Sequence, residues 1–170
     1  MNVVKHDNIP QKLKDTAQFC CWQYETVKGR QTKVPYDPVT GHKARTNQPT
    51  TFTTFDGAIA ALVNYDGMGI RVANGIAGID LDHCMKNGTL LPRAREIVDK
   101  FHDTYIEISP SGAGIRIFCL VPEQFSYDTD VYYIKKGDIE VYIPGFTNRC
   151  ALSIIKVLNK EVLYCSQKTE

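Results

Sequence analysis

Short apolar runs broken by glycine, proline and asparagine dominate the pattern of this chain. "QFCCWQYET" (18–26) is aromatic-rich and strand-like, and "VKGRQ" turns it back into "TKVPY", which predicts a hairpin. Turn-forming residues fill 37–51 and predict a long exposed loop. The period then changes. Behind a threonine cap, Phe55, Ile59, Leu62 and Val63 recur at helical spacing and predict a helix over 53–65. "GMGIRVA" and "IAGIDLD" read as two strands joined into a hairpin by Asn74-Gly75. "LPRAREIVDKFHD" reads as a helix with Pro92 in its first turn. After it come "TYIEIS", "GIRIFCLV", "VYYIKKGDIEVYI", which predicts a hairpin about Lys136-Gly137, and "RCALSIIKVL". Strands mixed with two helices and ending in mostly antiparallel strands predict an α+β fold, one domain over residues 1–170.

Composition narrows this only a little. With 43% hydrophobic and 23% charged residues in 170, the chain can bury a real core, and disordered or fibrous classes are excluded. No apolar run approaches the roughly 20 residues of a membrane span, and "MNVVKHDNIPQK" has no signal-peptide core. The expectation is a cytoplasmic protein with no membrane partner. A net charge of +1 means that any nucleic-acid surface must be a local patch. Six cysteines (20, 21, 84, 119, 150 and 165) include no CxxC pair, so buried reduced thiols are expected over zinc or disulfides.

The chemistry begins at "GIAGIDLDHC". If the strand runs through this stretch, Asp80 and Asp82 share one face while Ile79 and Leu81 point into the core. Two like charges roughly 7 Å apart repel, and a hard divalent cation with oxygen ligands would resolve the conflict. On this motif alone, two solvated aspartates at a strand end are the better account. An EF-hand loop fails, because Met85 and Leu91 stand where it needs Gly and Glu. A haloacid-dehalogenase-type phosphatase fails too, with Cys84 where that family expects Thr or Val. A DxD glycosyltransferase or a metal-dependent nuclease stays open.

Two further elements change the weight of the dyad. In "EISPSGAGIRIF", Ser109, Ser111, Gly112 and Gly114 form a small-residue loop between strands, suited to phosphate oxygens, and Arg116 follows as a clamp. In "GDIEVYI", Ile139, Val141 and Ile143 share a face, which turns Glu140 the other way with Asp138 and Tyr142. Acids for cations plus donors for a triphosphate are what a two-metal nucleotidyl-transfer site requires.

"GIDLDHC", "SPSGAGIRIF" and "IEVY", in this order, resemble the N-terminal domain of bifunctional primase–polymerases of phages and plasmids, in the archaeo-eukaryotic primase superfamily. The upstream Trp-bearing strand, the Lys-x-Pro-Tyr segment and the helix are similar as well, so the resemblance spans about residues 9–153. It implies an α+β catalytic core with an RNA-recognition-motif-like sheet that carries the acids. It also implies a DNA primase or polymerase acting in replication of a mobile element, with Mg2+ or Mn2+ (two ions). Its partners would be a DNA template and primer, a dNTP or NTP and a replicative helicase. By this resemblance Asp80, Asp82 and Glu140 hold the cations, while Ser109, Ser111, Gly112, Gly114, Arg116, Arg149 and Lys33 contact nucleotide or template. Many members have His where this chain has Arg116, a residue that keeps a cation but cannot exchange a proton near neutral pH. The alternative is a catalytically degenerate nucleic-acid-binding module. Basic candidates for the template are Lys28, Arg30, Lys33, Lys43, Arg45, Lys135 and Lys136, with Tyr24, Tyr36, Tyr132 and Tyr133 as stacking candidates.

Overall fold

The computed structural model describes residues 8–128, 130, 134–147, 150–153 and 156–159. A short helix α1 (Gln11–Thr16) leads into the hairpin of β1 (Gln18–Val27) and β2 (Arg30–Tyr36), whose turn uses positive φ at Lys28 and Gly29. Helix α2 (Phe55–Ala61) begins at Thr54, whose hydroxyl accepts from the Gly57 N–H, and ends in a 3-10 turn over Leu62–Asn64. Strands β3 (Gly67–Arg71) and β4 (Ile76–Leu81) follow. A small β5 (Met85–Lys86) and β6 (Thr89–Leu90) pair precedes α3 (Pro92–Lys100). The rest is β: β7 (Tyr105–Ile108), β8 (Ile115–Leu120), β9 (Lys135–Lys136), β10 (Ile139–Tyr142), β11 (Cys150–Ser153) and β12 (Lys156–Asn159). The fold is α+β, and every strand pairing among the described residues is antiparallel.

The strands form a four-stranded sheet in the order β11-β3-β1-β2 and a six-stranded sheet in the order β12-β7-β8-β4-β10-β9. One core cluster joins the two sheets, with Phe19, Cys21, Met68 and Ile70 from the first and Ile76, Tyr105, Phe118 and Leu120 from the second. A second cluster packs Leu81, Ile106, Ile115 and Ile117 against Ala94, with Ile97, Val98 and Phe101 of the α3 region around it. The six-stranded sheet is therefore apolar toward α3 along its length. Its other face is apolar at one end and carries charge at the other.

Several expectations change. Asn74 and Gly75 do form a turn with positive φ, closed by the Ile76 N–H on the Ala73 carbonyl, but it is no hairpin. Both edges of β3 are taken by β1 and β11, and both edges of β4 by β8 and β10, so the turn hands the chain from one sheet to the other. "RCALSIIKVL" is not one strand either. It contributes β11 to the four-stranded sheet and β12 to the six-stranded one. The predicted helix over 53–65 is shorter, and Val63 is exposed. Helix α1 was not read from the sequence, although Ile9, Leu13 and Ala17 recur at a spacing of four and are all buried. The late hairpin is present, with Gly137 and Asp138 as its turn. Cys20, Cys21, Cys84, Cys119 and Cys150 are free thiols, while Cys165 lies outside the described residues. No described helix is long and apolar enough to cross a membrane.

Candidate active site

Register builds the site. In the six-stranded sheet Glu107 on β7 faces Arg116 on β8, Arg116 faces Asp80 on β4, Asp80 faces Glu140 on β10, and Glu140 faces Lys135 on β9. Directly opposed residues share a face, so one row of charged side chains crosses five strands. Arg116 donates through Nε to Asp80 Oδ2 at 3.3 Å, and both side chains are nearly buried, at 12% and 13% exposure. Tyr142, opposite Gly78, lays its ring where that residue has no side chain. Its hydroxyl donates to Glu140 Oε2 at 3.0 Å and lies 3.4 Å from Asp80 Oδ2. Lys135 pairs with Glu140 from the exposed end of the row.

The electrostatics follow from this crowding. Burial pushes the Asp80 carboxyl above the usual carboxylate range; Arg116 opposes the shift, while Asp82 and Glu140 add to it. Burial also drives the Tyr142 phenol well up, helped by the charges of Asp80 and Glu140, so it stays a donor. Lys33 on β2 brings a cation from the other sheet. Its ammonium lies 5.4 Å from the Trp22 ring centre, and burial pulls its pKa down to about 8. Arg116 pushes the same way, whereas Asp80, Asp82 and Glu107 oppose.

Asp82 departs from the expected arrangement. Strand β4 ends at Leu81, and Asp82 is exposed in the following turn, where His83 takes φ +48°. It still lies beside the row, because its N–H donates to the Asp138 carbonyl at 2.8 Å and its charge acts on Asp80.

The loop between β7 and β8 is fastened to this corner. The Ser109 N–H donates to the Gly114 carbonyl at 2.9 Å, and the Gly114 N–H returns to Ser109 Oγ at 3.1 Å. Ser109 and Ser111 hydroxyls bond each other at 3.0 Å, and the Ala113 N–H reaches Ser111 Oγ at 3.3 Å. Gly112 takes φ +73° at the tip. A Cβ at Gly114 would stand 2.5 Å from the Leu81 carbonyl oxygen and 3.4 Å from Asp82 Cα, so only glycine lets the loop lie against the end of β4. The serine hydroxyls thus spend much of their hydrogen bonding on shaping the loop.

The structure brings Asp80, Asp82, Glu140, Arg116, Lys33 and the loop residues Ser109, Ser111, Gly112 and Gly114 to one region. Arg149, Tyr132 and Tyr133 lie outside the described residues. Two proposed template cations are already engaged, Lys43 with Glu25 at 2.7 Å and Lys135 with Glu140. Tyr36 is tied to Glu25 through its hydroxyl, and Tyr24 stands edge-on to Trp22 with centroids 5.2 Å apart. Glu107 was missed by sequence reasoning. Its signal was a charged residue inside the apolar strand "YIEIS", in register with Arg116 across the Ser/Gly loop.

The donor set at the charged corner suits a hard cation at Asp80. Asp80 Oδ1 is buried and finds no hydrogen-bond partner among the described residues, whereas Arg116 and Tyr142 both address Oδ2. A buried carboxylate oxygen left this way is costly, and an oxygen-seeking divalent ion would relieve it. Among the described residues no three His, Cys, Asp or Glu side chains already close on one point.

An antiparallel α+β scaffold that lines up these motifs on one sheet corner has the organisation expected of a primase–polymerase core. The chain is 35% identical over 141 residues, 78% of its length, to the DNA primase-polymerase of Nitratiruptor phage NrS-1. It spans 19% of that protein's length. The match bears out the resemblance carried by the motifs: over most of its length the chain is related to a phage primase–polymerase. No model of an established protein family matches it.

Proposed function

We propose that this chain carries out template-directed nucleotidyl transfer, as a DNA primase, a DNA polymerase or both, with magnesium or manganese as cofactor. The observation that supports this most is Asp80. It is paired across the strands with Glu140, keeps a buried oxygen with no hydrogen-bond partner among the described residues, and sits beside Arg116 and the fastened Ser/Gly loop. Asp80, Glu140 and the nearby Asp82 are the residues that would hold two cations. When bound, such ions sharpen an attacking 3′-hydroxyl and neutralise a leaving pyrophosphate.

Arg116 is the phosphate clamp in this reading. Its guanidinium is always charged and offers five donors, so it can address Asp80 and turn toward a triphosphate without changing protonation. It cannot serve as a proton shuttle, and any proton transfer falls to other groups or to water. The backbone N–H groups about Gly112 and the serine hydroxyls supply further donors to phosphate. Lys33 adds positive charge from the facing sheet. DNA template and primer, a dNTP or NTP, and a helicase acting with the enzyme in phage or plasmid replication complete the proposal.

Primer extension tests it. Purified chain, labelled primer–template, nucleotides and either Mg2+ or Mn2+ should give extended product, and Asp80→Ala with Asp82→Ala should abolish it while the fold persists. One observation favours a second reading, a nucleic-acid-binding module without catalysis: Arg116 covers Asp80 Oδ2. Template binding with no synthesis under either ion would select that reading.

A further inference from the structure

Glu107 is fully buried, yet nothing in the proposed chemistry uses it. Carboxylates are almost never placed so deeply without a partner of opposite charge. Its cross-strand neighbour is Arg116, and residues opposed in this way have Cβ atoms roughly 4.5–5.5 Å apart. Arg116 therefore stands between two carboxylates, Glu107 on one side and Asp80 on the other. The two differ in surroundings. Asp80 lies at the charged corner beside Glu140 and Asp82, whereas Glu107 is held in the core. Tyr105, also fully buried and stacked on Phe118 with centroids 6.0 Å apart, donates its hydroxyl to Glu107 Oε2 at 3.2 Å. Burial keeps that phenol protonated, with the charge of Glu107 reinforcing the effect.

We propose that Glu107 is the positioning residue for Arg116: a fixed carboxylate, braced by Tyr105, that keeps the guanidinium in the row when Asp80 and the nucleotide compete for it. The inference rests on the reading of Arg116 as the triphosphate clamp. Without Glu107 the only carboxylate facing Arg116 from a neighbouring strand, among the described residues, is Asp80. The guanidinium would then settle on Asp80, away from phosphate. With Glu107 in place, Arg116 can release Asp80 and stay compensated. Glu107 touches neither nucleotide nor cation in this scheme and acts through Arg116 alone.

A double-mutant cycle separates this role from simple packing. Affinity for a fluorescent nucleoside triphosphate, with Mn2+ present, is measured for the parent, Glu107→Gln, Arg116→Ala and the double variant. Glutamine keeps the shape and can still accept from Tyr105. Glu107→Gln and Arg116→Ala should each weaken binding about tenfold or more, and the double variant should bind no more weakly than Arg116→Ala. Should Glu107→Gln fail to fold, Glu107→Asp, which keeps the charge, takes its place in the same cycle with a smaller loss expected. Losses that multiply in the double variant overturn the proposal, as does a lowered melting temperature with unchanged affinity. Parent-like binding by Arg116→Ala would instead remove the clamp reading on which the proposal rests.

Discussion

Gly114 is where the loop's geometry is easiest to challenge. The added methyl of Gly114→Ala would begin 2.5 Å from the Leu81 carbonyl oxygen and 3.3 Å from Ser109 Oγ. The first of these is backbone, in a strand paired on both sides, and cannot rotate away. Forcing atoms into a packed site costs about 1–3 kcal/mol. For a chain of this length each kcal/mol lowers the melting temperature by about 2–4 °C, so a drop of roughly 2–12 °C is expected. The displaced atoms belong to the Leu81–Asp82 corner, so primer extension should fall further than lost stability explains. Gly88→Ala serves as the control. Gly88 stands at φ +75°, where an added Cβ is strained, with open space around it, whereas Gly114 has no left-handed φ and is constrained by contact alone. Calorimetry and primer extension on the two variants separate strain from displacement: both should melt early, and only Gly114→Ala should lose synthesis. A Gly114→Ala protein that melts and extends primers like the parent would refute the argument that this contact positions the loop.

Three other outcomes are expected. Millimolar Mn2+ or Mg2+ should raise the melting temperature, by about 1.4 kcal/mol of stabilisation at ten times the Kd, because the ion binds the folded site and not the unfolded chain; calorimetry with and without each ion checks it. Arg116→Lys should recover part of the nucleotide affinity that Arg116→Ala loses, since charge survives and the planar fork does not; fluorescence titration reads both. Lys33 titrates at about 8 in the fold and near 10.5 when unfolded, so between those values the unfolded chain binds more protons and stability contributed by this group rises with pH. Urea melts of Lys33→Met across that window should lack this rise, and in the parent any phosphate contact made by Lys33 should weaken above pH 8.

What the sequence disclosed depended on whether the signal was local. Asp80, Glu140 and Arg116 were legible because alternation along each strand fixes the face of every residue, and the three strands are neighbours in the sheet. Asp82 was placed on the same strand face, but β4 stops one residue earlier and the left-handed His83 turns the chain. Asn74-Gly75 signalled a turn correctly, yet the turn cannot say which sheet each flanking strand joins. That choice belongs to β1, β8, β10 and β11, far away in sequence. Glu107 did leave a local signal, a charge inside an apolar strand, but its meaning lies in its register partner across the Ser/Gly loop, nine residues on. Gly114 could be read as a flexible loop residue, whereas its actual constraint is the carbonyl of Leu81 pressed against it.

The claim at the centre of this account is that the Asp80–Glu140 pair holds a divalent cation. Electron paramagnetic resonance of Mn2+ titrated into the protein, with a nucleoside triphosphate present, measures that ion directly. The parent should bind Mn2+, and Asp80→Asn and Glu140→Gln should each lose most of that binding while remaining folded. Mn2+ bound equally well by the parent and both variants, or by none of the three, would contradict it.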